Sequence, residues 1–235
     1  MGDQACIKFL QWALPKLQMR WKGFKKVRGQ VCKKIRNRLT QLNISGFTDY
    51  ADYLKQHPDE WQVLDGLCRI TISRFNRDKV VFEYVVNLAE TLLKDNSHIK
   101  ILSIGCASGE EPYTLSILLL NSSAIDISAA HVEILAVDSD PYLLERARKG
   151  CYPYSTLKEL PKYLADRCFS RKDDRYCLHH EYKAPVTFQL QDIRSGMPGG
   201  TFDLVLCRNL VATYYTDSLQ RRIFEDLAGV IREGG

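Results

Sequence analysis

The chain has no hydrophobic run approaching the ~20 residues that a helix needs to cross a bilayer, so it predicts no membrane-spanning helix. Its amino terminus lacks the basic and then apolar layout of a secretory signal, and Cys6 stands where a myristoylation signal has Ser or Thr. Internal repeats and low-complexity tracts are also absent. The composition, 45% hydrophobic and 26% charged over 235 residues, is typical of a globular protein with a proper core, and a cytoplasmic location is expected.

None of the eight cysteines forms a CxxC pair. Scattered cysteines of this kind predict reduced thiols that pack as small hydrophobic side chains. Only one cluster, made of Cys168, Cys177, His179 and His180, resembles a set of metal ligands. Its spacing matches no familiar zinc site, so the sequence predicts no metal.

Acidic residues are nearly absent from the first forty positions, where eleven Lys and Arg face Asp3 alone. This segment therefore carries +10, although the whole chain carries only +5. A basic amino-terminal segment on an otherwise acidic chain indicates an acidic partner for that segment.

Apolar residues recur every four positions from Val27 to Leu39, which predicts a helix, and Lys26, Lys33 and Arg36 fall on its opposite face. These cations are either a solvated helix face or a surface that binds a substrate. The stretch from Arg20 to Arg38 holds nine cations and no acid, which favours an acidic protein partner. Nucleic acid is not expected, because few aromatic residues interleave with the cations.

The hydrophobic pattern divides the chain into a helical part and an alternating part. Residues 5–66 read as helices, and 79–95 as a linking helix. The later pattern predicts strands at 100–104, 132–137, 186–190 and 202–207, with helices at 111–120, 141–148 and 217–231. Strands separated by helices predict an α/β fold with a Rossmann-like, doubly wound parallel sheet. Residues 166–190 or thereabouts interrupt this order as an inserted β-hairpin lobe.

The segment from Ile101 to Pro112 reads as a buried strand, then a turn of small residues, then a helix that opens with Glu110 and Glu111. Phosphate-binding turns use backbone amides and cations rather than acids. Two glutamates at this turn therefore suit a ligand with positive charge and hydroxyl groups. S-adenosylmethionine (SAM), with its ammonium, sulfonium and ribose diol, is such a ligand.

Other polar residues follow the ends of neighbouring strands, where ligands bind in such sheets. Asp138 ends the second strand and can accept hydrogen bonds from a ribose diol, while Asp140 can cap the helix that begins at Pro141. Both roles can hold together. The same edge of the sheet receives Asp192, Ile193, Arg208 and Asn209.

Six segments, in this order along the chain, resemble motifs of one family. They are SRFNRD at 73–78 (similar to T-x-F-F-R-D), ASGEEPYT at 107–114 (similar to ASTGEEPYS), Asp138, A-x-x-G-x-Y at 147–152, FDLVLCRN at 202–209 and TYY at 213–215. Over nearly its whole length the chain resembles the chemotaxis-receptor glutamate methyltransferases of the CheR type.

The resemblance implies a two-domain, SAM-dependent protein-glutamate O-methyltransferase. Residues 1–78 would be the basic, substrate-facing helical domain with the start of a linker, and residues 79–235 the methyltransferase domain with the lobe. The family continues into two further strands beyond residue 235, and these are expected to be missing here. The implied substrate is an acidic, helical, receptor-like protein that meets Lys26, Lys33 and Arg36, and the lobe offers a sheet edge for a tethering peptide.

The same resemblance implies the site residues. Thr71, Ser73 and Arg77 would approach the methionine end of SAM, Glu110 and Glu111 its methionyl group, and Asp138 its ribose. Gly105, Asp192, Ile193, Arg208 and Asn209 would complete the cofactor pocket. Arg77 and Tyr214 would be the catalytic residues beside the transferred methyl group.

A glutamate acceptor needs no general base, because its pKa of ~4.3 leaves it ionised at neutral pH. Arg77 could grip one carboxylate oxygen, although an ion pair with Asp78 or Glu83 is the alternative role for it. Tyr214 could donate one hydrogen bond, and Tyr215 is the alternative because this segment is one residue longer than in the family. Two other functions stay open: a SAM methyltransferase with another carboxyl or small-molecule acceptor, and a non-catalytic module that binds SAM or an acidic partner.

Overall fold

The computed structural model describes residues 2–125 and 131–233. It divides into two compact units, one of Met1–Ile70 with Asn209–Arg222 and one of Thr71–Arg208 with Ile223–Gly235. Of the helices described, none combines the length and the apolar character that a bilayer crossing requires.

The elements follow each other along the chain as helices first and as alternating helices and strands later. The helices are α1 (Gly2–Ala13), α2 (Trp21–Phe24), α3 (Arg28–Gln41), α4 (Phe47–Gln56), α5 (Glu60–Cys68), α6 (Lys79–Asp95), α7 (Glu110–Leu120), α8 (Pro141–Lys149), α9 (Lys162–Cys168), α10 (His180–Lys183), α11 (Val211–Tyr214) and α12 (Asp217–Ala228). The strands are β1 (His98–Ile104), β2 (His131–Asp138), β3 (Cys151–Pro153), β4 (Phe169–Lys172), β5 (Arg175–Leu178), β6 (Val186–Leu190) and β7 (Leu204–Cys207).

The first unit is a helical bundle, as the sequence predicts. Its aromatic core brings Phe9 of α1 within 5.6 Å of Phe47 and 5.5 Å of Tyr50, both on α4. Glu60, buried at the start of α5, accepts hydrogen bonds from both sides: from the Arg38 guanidinium at 2.9 and 2.7 Å and from the Tyr50 hydroxyl at 2.8 Å. The Arg38 hydrogen bond lowers the pKa of Glu60 despite its burial, so α3, α4 and α5 are joined by an ionised group.

The second unit contains a four-stranded parallel sheet in the order β6-β2-β1-β7. Strand β1 lies in register with β2 from His98↔His131 to Ile104↔Val137. The last four residues of β1 are all buried, as expected for a strand covered on both faces. The predicted α/β class with a doubly wound, Rossmann-like parallel sheet is confirmed.

The inserted lobe is a three-stranded antiparallel sheet in the order β3-β5-β4. Its extent differs from the predicted 166–190, because Val186–Leu190 pairs with β2 in the parallel sheet and Cys151–Pro153 joins the lobe instead. A three-residue strand that ends in proline carries too short an alternation to be recognised from sequence. Phe75 packs edge-on against Tyr152 at 4.9 Å and Phe169 at 5.3 Å, which anchors the lobe in a hydrophobic core.

Four of the eight cysteines form disulfides, Cys6–Cys32 and Cys151–Cys177, so the prediction of reduced thiols is wrong for these four. Both pairs are separated by 26 residues, a spacing that carries no signal in the sequence. The fold creates the proximity: the first pair joins α1 to α3, and the second joins directly opposed residues of β3 and β5. Cys68, Cys106, Cys168 and Cys207 lie outside these two disulfides.

Candidate functional site

The turn after β1 bends across to the end of β2. Gly105 and Gly109 have φ angles of 71° and 90°, in the left-handed region that glycine adopts most readily. The amides of Gly105 and Cys106 both donate to the carbonyl of Val137, at 2.9 and 3.1 Å. A Cβ on Gly109 would come within 3.0 Å of the Ala147 side chain, so no larger residue fits there without displacement. The small residues of the turn therefore allow its close contact with β2 and α8.

Asp138 holds this turn through its carboxylate. One oxygen, Oδ2, accepts from the Ala107 amide at 2.8 Å, and Oδ1 accepts from the Asp140 amide at 3.0 Å. Asp140 caps α8, since its Oδ1 accepts from the amides of Tyr142 and Leu143 at 2.9 and 3.3 Å. The predicted cap is confirmed, and Asp138 lies at the carboxyl end of β2 in a fixed orientation.

Glu110, the first residue of α7, is a buried carboxylate with one unsatisfied oxygen. Its side chain is 2% exposed, and Oε1 accepts from the Ser108 hydroxyl at 3.0 Å. Among the residues that the structure describes, Oε2 has no hydrogen-bond partner. Burial raises the pKa of Glu110, and the backbone, Ser108 and Ser73 oppose that rise. A buried carboxylate oxygen without a partner is costly, and a cationic ligand group would satisfy it.

Glu111 differs from its neighbour, because both its oxygens have partners within the protein. Oε1 accepts from the Ser103 hydroxyl at 2.9 Å, and Oε2 accepts from the Arg208 guanidinium at 3.2 Å. Arg208 also donates to Asp78 Oδ2 at 2.7 Å and stacks on the Phe82 ring at 4.9 Å. Burial raises the pKa of Glu111, and the charge of Arg208 opposes this rise most. The ion pairs of Arg208 with Glu111 and Asp78 thus connect α7 and the end of β7 to the segment before α6.

The segment 73–78 is held by Asn76, where the resembling family has an aromatic residue. Asn76 is buried with φ of 56°, a conformation that asparagine tolerates better than most side chains. Its amide donates to Thr114 Oγ1 and its side chain donates to the Glu159 carbonyl, both at 3.0 Å. This anchor was missed by the sequence reasoning. The only signal available was an asparagine between Phe75 and Arg77, and this does not reveal the distant partners of that side chain.

Arg77, beside this anchor, is about one-third exposed and donates to the Ile72 carbonyl at 3.1 Å. Its Nε lies 3.9 Å from Asp78 Oδ2, which is a weak ion pair. Glu83 pairs with Lys79 at 3.2 Å, so this alternative partner of Arg77 is engaged elsewhere. Thr71, earlier in the same segment, is exposed.

The segment after β6 carries Asp192 and Ile193. The Asp192 carboxylate is held by Arg194, which donates through its backbone amide at 2.9 Å and through Nη2 at 2.6 Å. Ile193 is 4% exposed. Arg194 was missed by the sequence reasoning, because a cation two residues from an aspartate is common on surfaces.

The Cys106 thiol, in the turn after β1, is no alternative nucleophile in this unit, since burial and then the charge of Asp138 raise its pKa.

Asn209 and Tyr214 belong to the first unit. Tyr214 is half-buried and packs edge-on against Phe24 at 5.2 Å, and its carbonyl accepts from the Arg20 amide at 2.8 Å. Tyr215 is 6% exposed. A Cβ on Gly23 would lie 2.3 Å from the Thr213 carbonyl oxygen, so the absence of a side chain on this glycine permits the close packing of α2 on α11.

Lys26, Lys33 and Arg36 are all exposed, as the sequence predicts. The helix range needs a correction, because α3 begins at Arg28 and Lys26 lies in the turn before it. Arg36 lies over the Phe47 ring at 6.0 Å, and Lys33 projects from α3 without an ion pair among those found in the described residues. Of the Cys168, Cys177, His179 and His180 cluster, Cys177 is disulfide-bonded and His179 Nε2 lies 2.7 Å from Ser170 Oγ.

Replacing Arg208 with methionine is expected to destabilise the protein by about 3 kcal/mol at neutral pH, because Glu111 would lose its cation. The pKa of Glu111 is already raised and would rise further. Because the folded-state pKa of Glu111 is raised, the stability that its protonated form contributes is fully present below the unfolded-state pKa of about 4.3. This contribution is lost as the pH rises through the folded-state pKa. The difference in free energy of unfolding between wild type and Arg208→Met should therefore grow as the pH rises through the folded-state pKa of Glu111 in the wild type, because the variant keeps the proton to higher pH.

Urea unfolding at several pH values measures the difference in free energy of unfolding between wild type and Arg208→Met. Arg167→Met, at an exposed position, is the matched control. A stability difference that stays constant with pH would contradict the coupling of Arg208 to Glu111.

Comparison with known proteins agrees with this geometry. The CheR methyltransferase SAM-binding domain matches residues 71–235, and the CheR methyltransferase all-alpha domain matches residues 26–64. A chemotaxis protein methyltransferase of Listeria innocua is 28% identical over 208 residues, covering 88% of this chain and 78% of the relative. One from Borreliella burgdorferi is 31% identical over 204 residues, covering 80% and 72%.

Among solved structures, a SAM-bound amino pentose methyltransferase from Micromonospora echinaspora is similar to this chain with a TM-score of 0.36 and 15% identity. The match covers 64% of this chain and 45% of that one.

The turn after β1 fits SAM on its own chemistry. The unsatisfied Glu110 Oε2 suits the cationic ammonium of that molecule, and the small residues of the turn leave backbone open to a close approach. Asp138 stands at the sheet edge where nucleoside ligands bind in this architecture. With a SAM-binding domain over residues 71–235 and the all-alpha domain before it, the chain belongs to the CheR family of SAM-dependent methyltransferases.

Proposed function

We propose that this protein transfers the methyl group of SAM to glutamyl side-chain carboxylates of a receptor-like protein. The observation that carries the proposal is the presence, in one chain, of both CheR domains, matched at 26–64 and 71–235. The relatives named chemotaxis protein methyltransferases support the same substrate class. The reaction is proposed to take place in the cytoplasm.

The division of labour follows the domains proposed from the sequence. Residues 1–78 present the substrate-facing surface, and residues 79–235 carry the methyltransferase chemistry. Exposed Lys33 and Arg36 on α3, with Lys26 just before it, attract acidic helices of the receptor. The lobe, whose β3 and β4 are the outer strands, offers an edge to which a tethering peptide can add as a further strand.

The cofactor site is proposed on the turn and on the strand ends that surround it. Glu110 receives the ammonium of SAM, with Thr71 and Ser73 beside the methionine end, and Asp138 receives the ribose. The turn at Gly105 brings its backbone close to the ligand. The remaining contacts are proposed to come from Asp192, Ile193, Arg208, Asn209 and Glu111. Of these, Arg208 and Glu111 pair with each other and act mainly to hold the pocket together.

The acceptor carboxylate requires orientation and dehydration rather than a base. When bound, SAM supplies a methyl group whose bond to sulfur breaks as the new bond to the carboxylate oxygen forms, with the electron pair remaining on sulfur. Arg77, steadied through one N–H by the Ile72 carbonyl, is proposed to hold the second carboxylate oxygen with its other N–H groups. Tyr214 is proposed to donate one hydrogen bond to the acceptor, since Tyr215 is buried. Both residues would act by positioning and by excluding water.

A methyl-transfer assay tests which chemical group accepts the methyl group. Labelled methyl from SAM should be transferred to acidic helical receptor fragments, and mild alkali should release the label as methanol, because carboxyl methyl esters are alkali-labile. Alkali-stable label would leave a methyltransferase with another kind of acceptor. Saturable SAM binding without transfer to any acidic fragment would favour the binding module.

Glu110→Gln tests the cofactor site. It should weaken SAM binding by about 10- to 100-fold, because a charge-assisted hydrogen bond worth about 1.5–3 kcal/mol would be lost. In the free protein the same change removes a buried charge, so stability should stay equal or rise. Isothermal titration with SAM and urea unfolding measure the two effects.

Exposed Glu83→Gln is the matched control and should leave SAM affinity unchanged. If Glu110→Gln bound SAM as tightly as wild type, the ammonium would have to be assigned to another group.

Lys33→Glu tests the substrate surface. Reversing this charge should raise the KM for the receptor fragment several-fold and make it less sensitive to salt, while the affinity for SAM stays unchanged. Lys158→Glu, an exposed position in the second unit with the same change of net charge, serves as control. Equal effects of the two variants would show that net charge alone, and not the α3 surface, attracts the substrate.

A further inference from the structure

We propose that His98, His131 and Glu133 form a zinc-binding site at the amino-terminal edge of the parallel sheet. His98 and His131 are directly opposed where β1 and β2 begin, and Glu133 lies two residues further along β2. Side chains two residues apart in a strand point to the same face, and partners in register share it. The two imidazole rings accordingly lie 5.0 Å apart, with the Glu133 carboxylate beside both.

The distances among the three groups are those of ligands around one small cation. His98 Nε2 and His131 Nε2 lie 3.4 and 3.3 Å from the same oxygen, Glu133 Oε1. Zinc bound tetrahedrally at about 2.0–2.1 Å places neighbouring ligand atoms about 3.3–3.4 Å apart. Hydrogen bonds between nitrogen and oxygen centre on about 2.9 Å, so both contacts are longer than ordinary hydrogen bonds. All three ligand atoms lie within 4.8 Å of one another, close enough to converge on a single ion.

His98 Nε2 provides a second, independent observation. This nitrogen has no exposed surface, and within the described ranges it finds no hydrogen-bond partner. Buried polar atoms are rarely left in this state, because losing water without a replacement partner costs free energy. A metal ion between the three side chains would satisfy the nitrogen without moving either strand.

The charges nearby define how the ion would be held. Lys100 Nζ lies 3.3 Å from Glu133 Oε2, so the carboxylate would use Oε1 alone for the metal. The His131 side chain is 70% exposed, which leaves room for water as a fourth ligand. Two imidazoles and one carboxylate oxygen suit zinc, whereas magnesium and calcium prefer sets made of oxygen.

The location indicates a structural role. The seven residues of β1 separate His98 from the cofactor turn by about 20 Å, at about 3.3 Å per residue. The ion would clip the start of β1 to the start of β2, the pair whose far ends carry Gly105 and Asp138. This inference is independent of the proposed acceptor.

The test is titration of the metal-free protein with zinc chloride, followed by calorimetry and by the shift in melting temperature. We expect one zinc ion per chain and a melting temperature that rises with zinc but not with magnesium. His131→Ala, at an exposed position, and Glu133→Gln should each weaken binding by at least about tenfold, since even groups behind a ligand contribute that much. His180→Ala, an exposed histidine elsewhere, is the matched control.

X-ray absorption at the zinc edge should show nitrogen and oxygen neighbours only. Sulfur neighbours would overturn the proposal, because the ion would then sit on a free cysteine. Unchanged zinc affinity in His131→Ala, or no binding by the wild type at stoichiometric zinc, would overturn it as well.

Discussion

The in-register parallel pairing of β1 with β2 is the constraint on which the second unit depends. At the carboxyl ends it brings the amides of Gly105 and Cys106 to the Val137 carbonyl, and the Ala107 amide to Asp138. At the amino ends it sets His98 against His131. A slip of one residue would turn every side chain to the other face and separate both sets. The turn after β1, where we propose that the cofactor binds, and the His98–His131 pair at the other end of the strands therefore both depend on the same strand register.

The two adjacent glutamates show how position decides chemistry. Glu110 and Glu111 begin the same helix, and burial raises the pKa of both. The Glu111 carboxylate pairs with the Arg208 guanidinium and accepts a hydrogen bond from Ser103, so both its oxygens have partners inside the protein. Glu110 accepts from Ser108 on Oε1, and its Oε2 has no hydrogen-bond partner among the described residues, so this oxygen is available to a cationic ligand. The ion pair of Glu111 with Arg208 is internal to the protein, whereas the unpaired oxygen of Glu110 is where we propose that the positive charge of the ligand is bound.

Several features could be predicted because their signals are local. The helix α6, the cap at Asp140 and the order of strands and helices follow from hydrophobic period and capping residues. Others depend on contacts between distant residues. The short strand β3, the anchor at Asn76 and the partner of Arg208 join segments 22 to 130 residues apart, for which one sequence contains no pairing signal.

The sequence by itself determined the α/β class, the family, and which side chains stand at the ends of the strands, because period and motif are properties of neighbouring residues. Only the tertiary structure decided which glutamate is left unsatisfied, which cysteines pair and which histidines meet. The physical reason is the same in each case: desolvation, disulfide formation and metal binding depend on the groups that surround an atom in space, and packing chooses those groups.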